Sequence, residues 1–259
     1  MMPNAKVIET LRQYMLDERL ERLATVADRQ MRGLCVVLES LYDPGNQAAV
    51  LRSADAHGVV DVHLIKPENA TKANARQVSR GAEKWLEIHR HKESADCIQE
   101  LKAKGFQIAV SDLSAAQPLE ALDFSRPTAV VFGNERFGIS EEMAAAADVR
   151  FKIPMYGFVE SFNIAVAAGI TLHTARRQRE RALGAMTDLT PTQRQELLAV
   201  WMCRSVERAE DLLAEAGVEL TSELRTSAFP VGFRRPKPRK NGEAPAIGMD
   251  PKRFRGRVD

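Results

Sequence analysis

Three short stretches of this 259-residue chain place polar residues in settings that suit chemistry. In LYDPGNQAAVLRSADAHGV (41–59), a Pro44-Gly45-Asn46 turn leads into a helix, with Asn46 as the N-cap candidate. Arg52 follows within that helix, among Ala48, Ala49, Val50, Leu51 and Ala54. Its guanidinium either reaches out to water along its own stem or serves a site. In VVFGNERFGIS (130–140), two glycines around a tight loop let backbone N–H and C=O groups approach a ligand, and Glu135 lies inside that loop. In IPMYGFVESFNIAVAAG (153–169), a glycine-containing loop follows Pro154, and Ser161 and Asn163 open an alanine-rich helix, which they could simply cap. Each stretch follows a predicted strand, the place where open α/β sheets put their sites.

Other chemistries fail on particular residues. GNERFGIS (133–140) has the GxxxxG spacing of a phosphate-binding loop, but Ile139 and Ser140 stand where Lys and then Ser or Thr are required. No GxGxxG follows a strand, and no GxSxG nucleophile elbow exists. His89 and His91 share one face of a predicted strand without an accompanying Cys or carboxylate pattern, so no metal is expected. Cys35, Cys97 and Cys203 are far apart and form no CxxC pair, which predicts reduced thiols in a cytoplasmic protein.

The elements that must position the three stretches can be read from hydrophobic periodicity. Strand candidates are LCVVLE (34–39), VVDVHLI (59–65), WLEIH (85–89), FQIAVS (106–111), TAVVFG (128–133) and RFKIP (150–154). Helix candidates are 46–57, 94–104 and 140–147, with Gly58 and Gly105 placed to terminate the first two. Strands that are nearly continuous apolar runs, alternating with helices, predict an α/β fold with a mostly parallel sheet.

An amphipathic helix is predicted over 5–30, with Arg12, Arg19, Arg22 and Arg29 inside an arc of roughly 100°. That arc reads either as a solvated face or as a basic ridge for a phosphate backbone. Long helices are predicted from Ser161 to Arg181 and from Pro191 to Glu215, the latter capped by Thr190. The expected organisation is an N-terminal helix (1–33), a catalytic domain (34–182), a packed C-terminal helix (183–217) and a basic, largely disordered tail (218–259).

Hydrophobic residues are 44% and charged residues 28%, which excludes a wholly disordered or fibrous chain. No apolar run is long enough to span a membrane, and the first residues lack the apolar core of a signal peptide. The net charge of +2 conceals an asymmetry. Residues 226–259 hold nine Lys/Arg against three Asp/Glu, so the rest of the chain is acidic, with a net charge of −4. Attraction to a nucleic acid would therefore have to come from local arrays.

Taken together, PGNQAAVLRSAD, FGNERFG and IPMYGFVESFNIAVA resemble, in order and spacing, the three motifs of the SpoU/TrmH family of RNA ribose 2′-O-methyltransferases. The resemblance covers roughly residues 30–205, and the Arg-bearing N-terminal helix and the TPTQRQELLAVWM helix are most similar to the tRNA guanosine-18 branch. It implies a SPOUT-type α/β domain with a deep trefoil knot, S-adenosylmethionine as methyl donor, a homodimer, and tRNA as substrate, with guanosine 18 of the D-loop as the target. By motif position, Arg52 matches the catalytic arginine, and Asn46, Glu135, Ser161 and Asn163 match the other polar positions. Ser111, Gly133, Ile153, Met155 and Phe162 match the donor-binding positions, with Phe162 replacing the commoner leucine. Arg177 and Arg179 match basic positions that resemble RNA-phosphate contacts, beside Arg12, Arg19, Arg22 and Lys84. The alternatives are a 23S ribosomal RNA methyltransferase of the same family and a catalytically silent RNA-binding or assembly factor.

Overall fold

The computed structural model describes residues 3–65 and 82–230. Its centre is a seven-stranded sheet of β1 (Leu34–Glu39), β2 (Asp61–Ile65), β3 (Glu87–His91), β4 (Gln107–Ser111), β5 (Gln117–Pro118), β6 (Thr128–Phe132) and β7 (Val149–Lys152). The strand order is β3-β2-β1-β6-β4-β7-β5, and every pairing between these strands is parallel. A parallel sheet must be covered on both faces, and alternate residues of β1 feed two separate cores. Leu34, Val36 and Leu38 pack with Val50, Leu51 and Ala54 of α3 (Pro44–Ala56) and Ala168, Leu172 and Ala175 of α6 (Ile164–Leu183). Cys35 and Val37 pack with Cys97 and Leu101 of α4 (Ser94–Ala103) and Met143 of α5 (Glu141–Ala146). All three cysteines are buried free thiols. Gly58 and Gly105 adopt φ of +69° and +77° just past the ends of α3 and α4, as helix-terminating glycines do.

A third core lies beside the sheet. It joins α1 (Pro3–Arg12), α2 (Asp17–Ala27), α7 (Pro191–Ser205), α8 (Ala209–Glu215) and α9 (Ser222–Ala228) around Trp201. Trp201 is buried, donates from Nε1 to the Trp85 carbonyl at 2.9 Å, and meets the Trp85 ring edge-on. Thr190 caps α7 as expected and forms a reciprocal capping box with Gln193.

The strand expected over 85–89 lies at Glu87–His91 and the helix expected from Ser161 starts at Ile164, and three further elements change by more than their end residues. The helix over 5–30 is two helices: the N–H groups of Tyr14 and Met15 turn back to Leu11 and Arg12, Leu16 is extended, and Asp17 and Glu18 open α2 where the helix dipole favours carboxylates. The break lets each half lay its own apolar face on α7. The helix over 191–215 divides at Val206 and Arg208, whose φ is +55°. Part of the tail expected from 218 is instead a packed helix, because Leu224 and Ala228, one helical turn apart, are buried under α7. The remainder of that tail, 231–259, lies outside the described residues. No helix among the described residues is long and apolar enough to cross a membrane.

Candidate active site

Strands β1, β6, β4 and β7 are neighbours, and the three motif stretches follow the carboxyl ends of β1, β6 and β7. The loop after β1 enters α3 through Asp43, not Asn46. The Asp43 carboxylate accepts from the Gly45 N–H at 2.8 Å, and Pro44 takes the first helical position, where a missing N–H costs nothing. Asn46 is thereby free for a longer reach. Its Nδ2 donates to Glu135 Oε1 at 3.1 Å, and its Oδ1 accepts from Asn163 Nδ2 at 3.0 Å. Asn163 also caps α6, accepting from the Ala165 N–H at 2.9 Å. The chain Glu135–Asn46–Asn163 thus ties together one residue from each motif.

Glu135 receives three donors. Besides Asn46, the N–H of Tyr42 lies 2.9 Å from Oε2 and that of Asp43 lies 3.2 Å from Oε1. Partial burial pushes its carboxyl up, but the hydrogen bonds from Tyr42, Asn46 and Asp43 outweigh that and hold it below the usual glutamate range. Glu135 is therefore a carboxylate at neutral pH, acting as a clamp on the first-motif loop.

The loop that carries Glu135 is closed by its own backbone. Asn134 and Gly138 exchange N–H···O bonds of 2.7 and 2.9 Å. A Cβ on Gly133 would lie 2.2 Å from the Gly138 carbonyl oxygen, so only glycine fits there. Asn134 accepts from the N–H groups of Arg136 and Phe137 and donates to the Ser40 carbonyl at 2.7 Å. Sequence reasoning passed over Asn134, although an Asn directly after Gly133 with Gly138 four residues on is a turn signal. Below the loop, Ser140 caps α5 and donates to the buried Glu39 at 2.7 Å.

The expected donor-binding residues gather at three adjacent strand ends. Ser111 closes β4, Gly133 follows β6, and Ile153 and Met155 follow β7, both only half-buried. Phe162 and Ser161 are exposed in the loop before α6, and Ser161 stands outside the Glu135–Asn46–Asn163 chain. Arg52 is exposed on α3 and has no ion-pair or hydrogen-bond partner among the described residues.

The basic positions separate into two groups. Arg12, Arg22, Arg29 and Arg177 are exposed and Arg19 is half-buried, although the break between α1 and α2 puts Arg12 on a different helix from Arg19 and Arg22. Arg177 also pairs with Glu180 at 2.7 Å. Lys84 is half-buried with its ammonium 4.9 Å from the Trp85 ring centre; burial, then Arg19 and Arg204, pull its pKa down to about 8. Arg179 corrects the sequence reading. It is 3% exposed, donates to the carbonyls of Phe124, Ser125 and Arg126, and pairs with Asp188 at 2.8 Å. Its guanidinium is spent inside the protein and faces no RNA.

A parallel α/β sheet with polar loops joined at its carboxyl strand ends defines an α/β enzyme with its site at those ends. Residues 33–173 match the SpoU rRNA Methylase family. The chain belongs to that family of RNA methylases and has its SPOUT fold. It is 37% identical over 188 residues, 72% of this chain and 96% of the relative, to a protein of Thermus thermophilus named tRNA (guanosine(18)-2′-O)-methyltransferase. It is also similar to the crystal structure of the Aquifex aeolicus TrmH/SpoU tRNA modifying enzyme (TM-score 0.66, 31% identity, 74% of this chain and 98% of that one). A third similarity is to the SpoU methyltransferase AviRb of Streptomyces viridochromogenes in complex with AdoMet (TM-score 0.51, 27% identity, 57% and 60%).

Proposed function

We propose that this protein transfers a methyl group from S-adenosylmethionine to the ribose 2′-hydroxyl of guanosine 18 in tRNA. The observation that carries the reading is the Glu135–Asn46–Asn163 chain, which draws the three motifs of the family into one unit, with Arg52 exposed on the same helix as Asn46. The Thermus thermophilus relative is named a tRNA (guanosine(18)-2′-O)-methyltransferase, the Aquifex aeolicus structure a tRNA modifying enzyme, and AviRb is in complex with AdoMet.

S-adenosylmethionine supplies an activated methyl group. The residues present fit it: Ser111, Gly133, Ile153 and Met155 meet at the ends of β4, β6 and β7, where half-covered apolar side chains stand beside loop backbone. Phe162 adds an apolar surface of the kind an adenine ring contacts. The acceptor must be held in line and helped to lose its proton. Arginine, with a pKa above about 12, is a poor proton acceptor. Arg52 instead clamps the phosphate next to the target ribose and stabilises the alkoxide charge as it develops. Ribose 2′-OH chemistry itself selects RNA over DNA.

The loop after β7 leaves Tyr156, Phe158 and Val159 in solvent, with Phe158 fully exposed, and Val166 continues that surface on α6. Exposed apolar surface of this extent marks a contact site, and a second copy of the chain covers it in this reading. The trefoil knot and the cytoplasm belong to the same reading. Arg12, Arg19, Arg22, Arg29, Lys84, Arg177 and the basic residues beyond 230 supply phosphate contacts, so RNA affinity falls steeply with salt. A methyl-transfer assay with labelled donor on bulk tRNA and on ribosomal RNA, with the product nucleotide mapped, tests the proposal. Label at guanosine 18 of tRNA supports it. Label on ribosomal RNA alone, or RNA binding without transfer, overturns it.

A further inference from the structure

Helix α4 covers one face of the outer strands β2 and β3. The register sets Asp61 beside Glu87, His63 beside His89 and Ile65 beside His91, so period-2 alternation puts all six on that face. The first end of this polar row is already neutralised. Arg32 donates to Asp61 at 2.9 Å and to Glu87 at 2.7 Å, and His89 Nε2 lies 2.8 Å from Asp61.

At the other end, among the described residues, no arginine or lysine contacts the histidines directly; Lys104 is held by Glu100. His63 Nδ1 and His91 Nε2 are 2.9 Å apart, and Cys97 Sγ on α4 joins them, the three atoms lying within 4.8 Å of one another. His63 is 2% exposed, His91 8% and Cys97 0%. Glu100, one turn beyond Cys97 on α4, sets its Oε2 3.9 Å from His91 Nε2 while Lys104 holds its other oxygen at 2.6 Å. Burial, with Glu100 and Glu39 adding negative charge, pushes the Cys97 thiol up to about 12, so a bare thiolate is strongly disfavoured there. A bound dication would reverse that preference.

We propose that His63 Nδ1, His91 Nε2, Cys97 Sγ and Glu100 Oε2 form a site for one zinc-class divalent cation that fastens α4 to β2 and β3. Two imidazoles, a thiolate and a carboxylate suit zinc's tetrahedral N/S/O preference. Zinc–nitrogen bonds of about 2.0–2.1 Å require the two ring nitrogens to part by roughly 0.4 Å, and the Glu100 carboxylate, outside the His63–His91–Cys97 cluster, to close in as the fourth ligand. Both nitrogens must offer lone pairs, so the proton now between the rings moves to the far nitrogen of the ring that holds it. The thiol proton leaves to solvent, and two anionic ligands balance the dication. Binding therefore releases one proton per ion. The site is built from strands β2 and β3 and helix α4, separate from the methyl-transfer loops, and does not depend on the proposed substrate.

The test uses the full chain, stripped with a chelator and titrated with Co²⁺ as a spectroscopic probe, then with Zn²⁺. The expected result is one equivalent of tetrahedral cobalt with a thiolate-to-cobalt charge-transfer band, bleached by zinc, with one proton released per ion. Cys97→Ser should lose that band and bind at least about tenfold more weakly, while Cys203→Ser behaves as the wild type. If Cys97→Ser does not fold, the wild-type band and proton count decide the matter alone. A wild-type protein without a saturable charge-transfer band, or a band that survives in folded Cys97→Ser, overturns the proposal.

Discussion

Asn163 donates from its side-chain amide to the side-chain oxygen of Asn46 at 3.0 Å, across 117 positions of sequence. Asn46 in turn donates to Glu135, so loops from three parts of the chain share one hydrogen-bonded unit. Groups linked in this way do not contribute independently. In a double-mutant cycle of Asn46→Ala and Asn163→Ala, the losses in kcat/KM should be non-additive, with a coupling on the order of 0.5–3 kcal/mol. Strictly additive losses would show that the contact does not transmit.

Arg52 carries the developing charge in the proposed reaction, so its removal should act on turnover alone. Arg52→Ala is expected to lower kcat on the order of 10²–10³-fold, with donor affinity by calorimetry unchanged. Arg52→Lys should not restore the rate, because a point charge does not reproduce a planar fork. Equal loss of donor affinity would place Arg52 at the donor instead.

Gly133 leaves no room for a side chain: an added Cβ would meet the carbonyl oxygen and carbon of Gly138 at 2.2 and 2.3 Å. Both are backbone atoms, so the loop must open to admit it. Gly133→Ala should cost about 1–3 kcal/mol in urea unfolding and weaken donor binding. Wild-type stability with wild-type donor affinity would contradict the closed loop.

Lys84 titrates near its functional range because burial and the neighbouring Arg19 and Arg204 bring it down to about 8. A lysine is charged below its pKa and neutral above it, so its phosphate contact is present at about pH 7 and lost by about pH 9. RNA affinity at constant salt should fall across that interval. In Lys84→Met the affinity should be lower and this step absent; an unchanged step in the variant would assign the titration to another group.

The sequence held the three motif loops, the alternation of strands and helices, and the Thr190 cap, because each is written in residues close together. What it concealed depends on distant partners. Asn46 has the local pattern of a helix cap, and nothing nearby in sequence shows that Asp43 already fills that role or that Asn46 reaches Glu135 and Asn163. Arg179 has the sequence setting of a surface cation, because the carbonyls that enclose it come from residues 124–126, more than 50 positions away. The pairing of His63 with His91 beneath Cys97 required the register of β2 against β3 and the seat of α4, neither of which a single strand's spacing reveals.

Single-turnover transfer of a labelled methyl group to two otherwise identical tRNA transcripts bears most directly on the proposed activity. One carries ribose at guanosine 18, the other 2′-deoxyribose. Label should enter the first transcript, map to the 2′-oxygen of that nucleotide, and be absent from the second. Equal labelling of both transcripts would contradict the assignment.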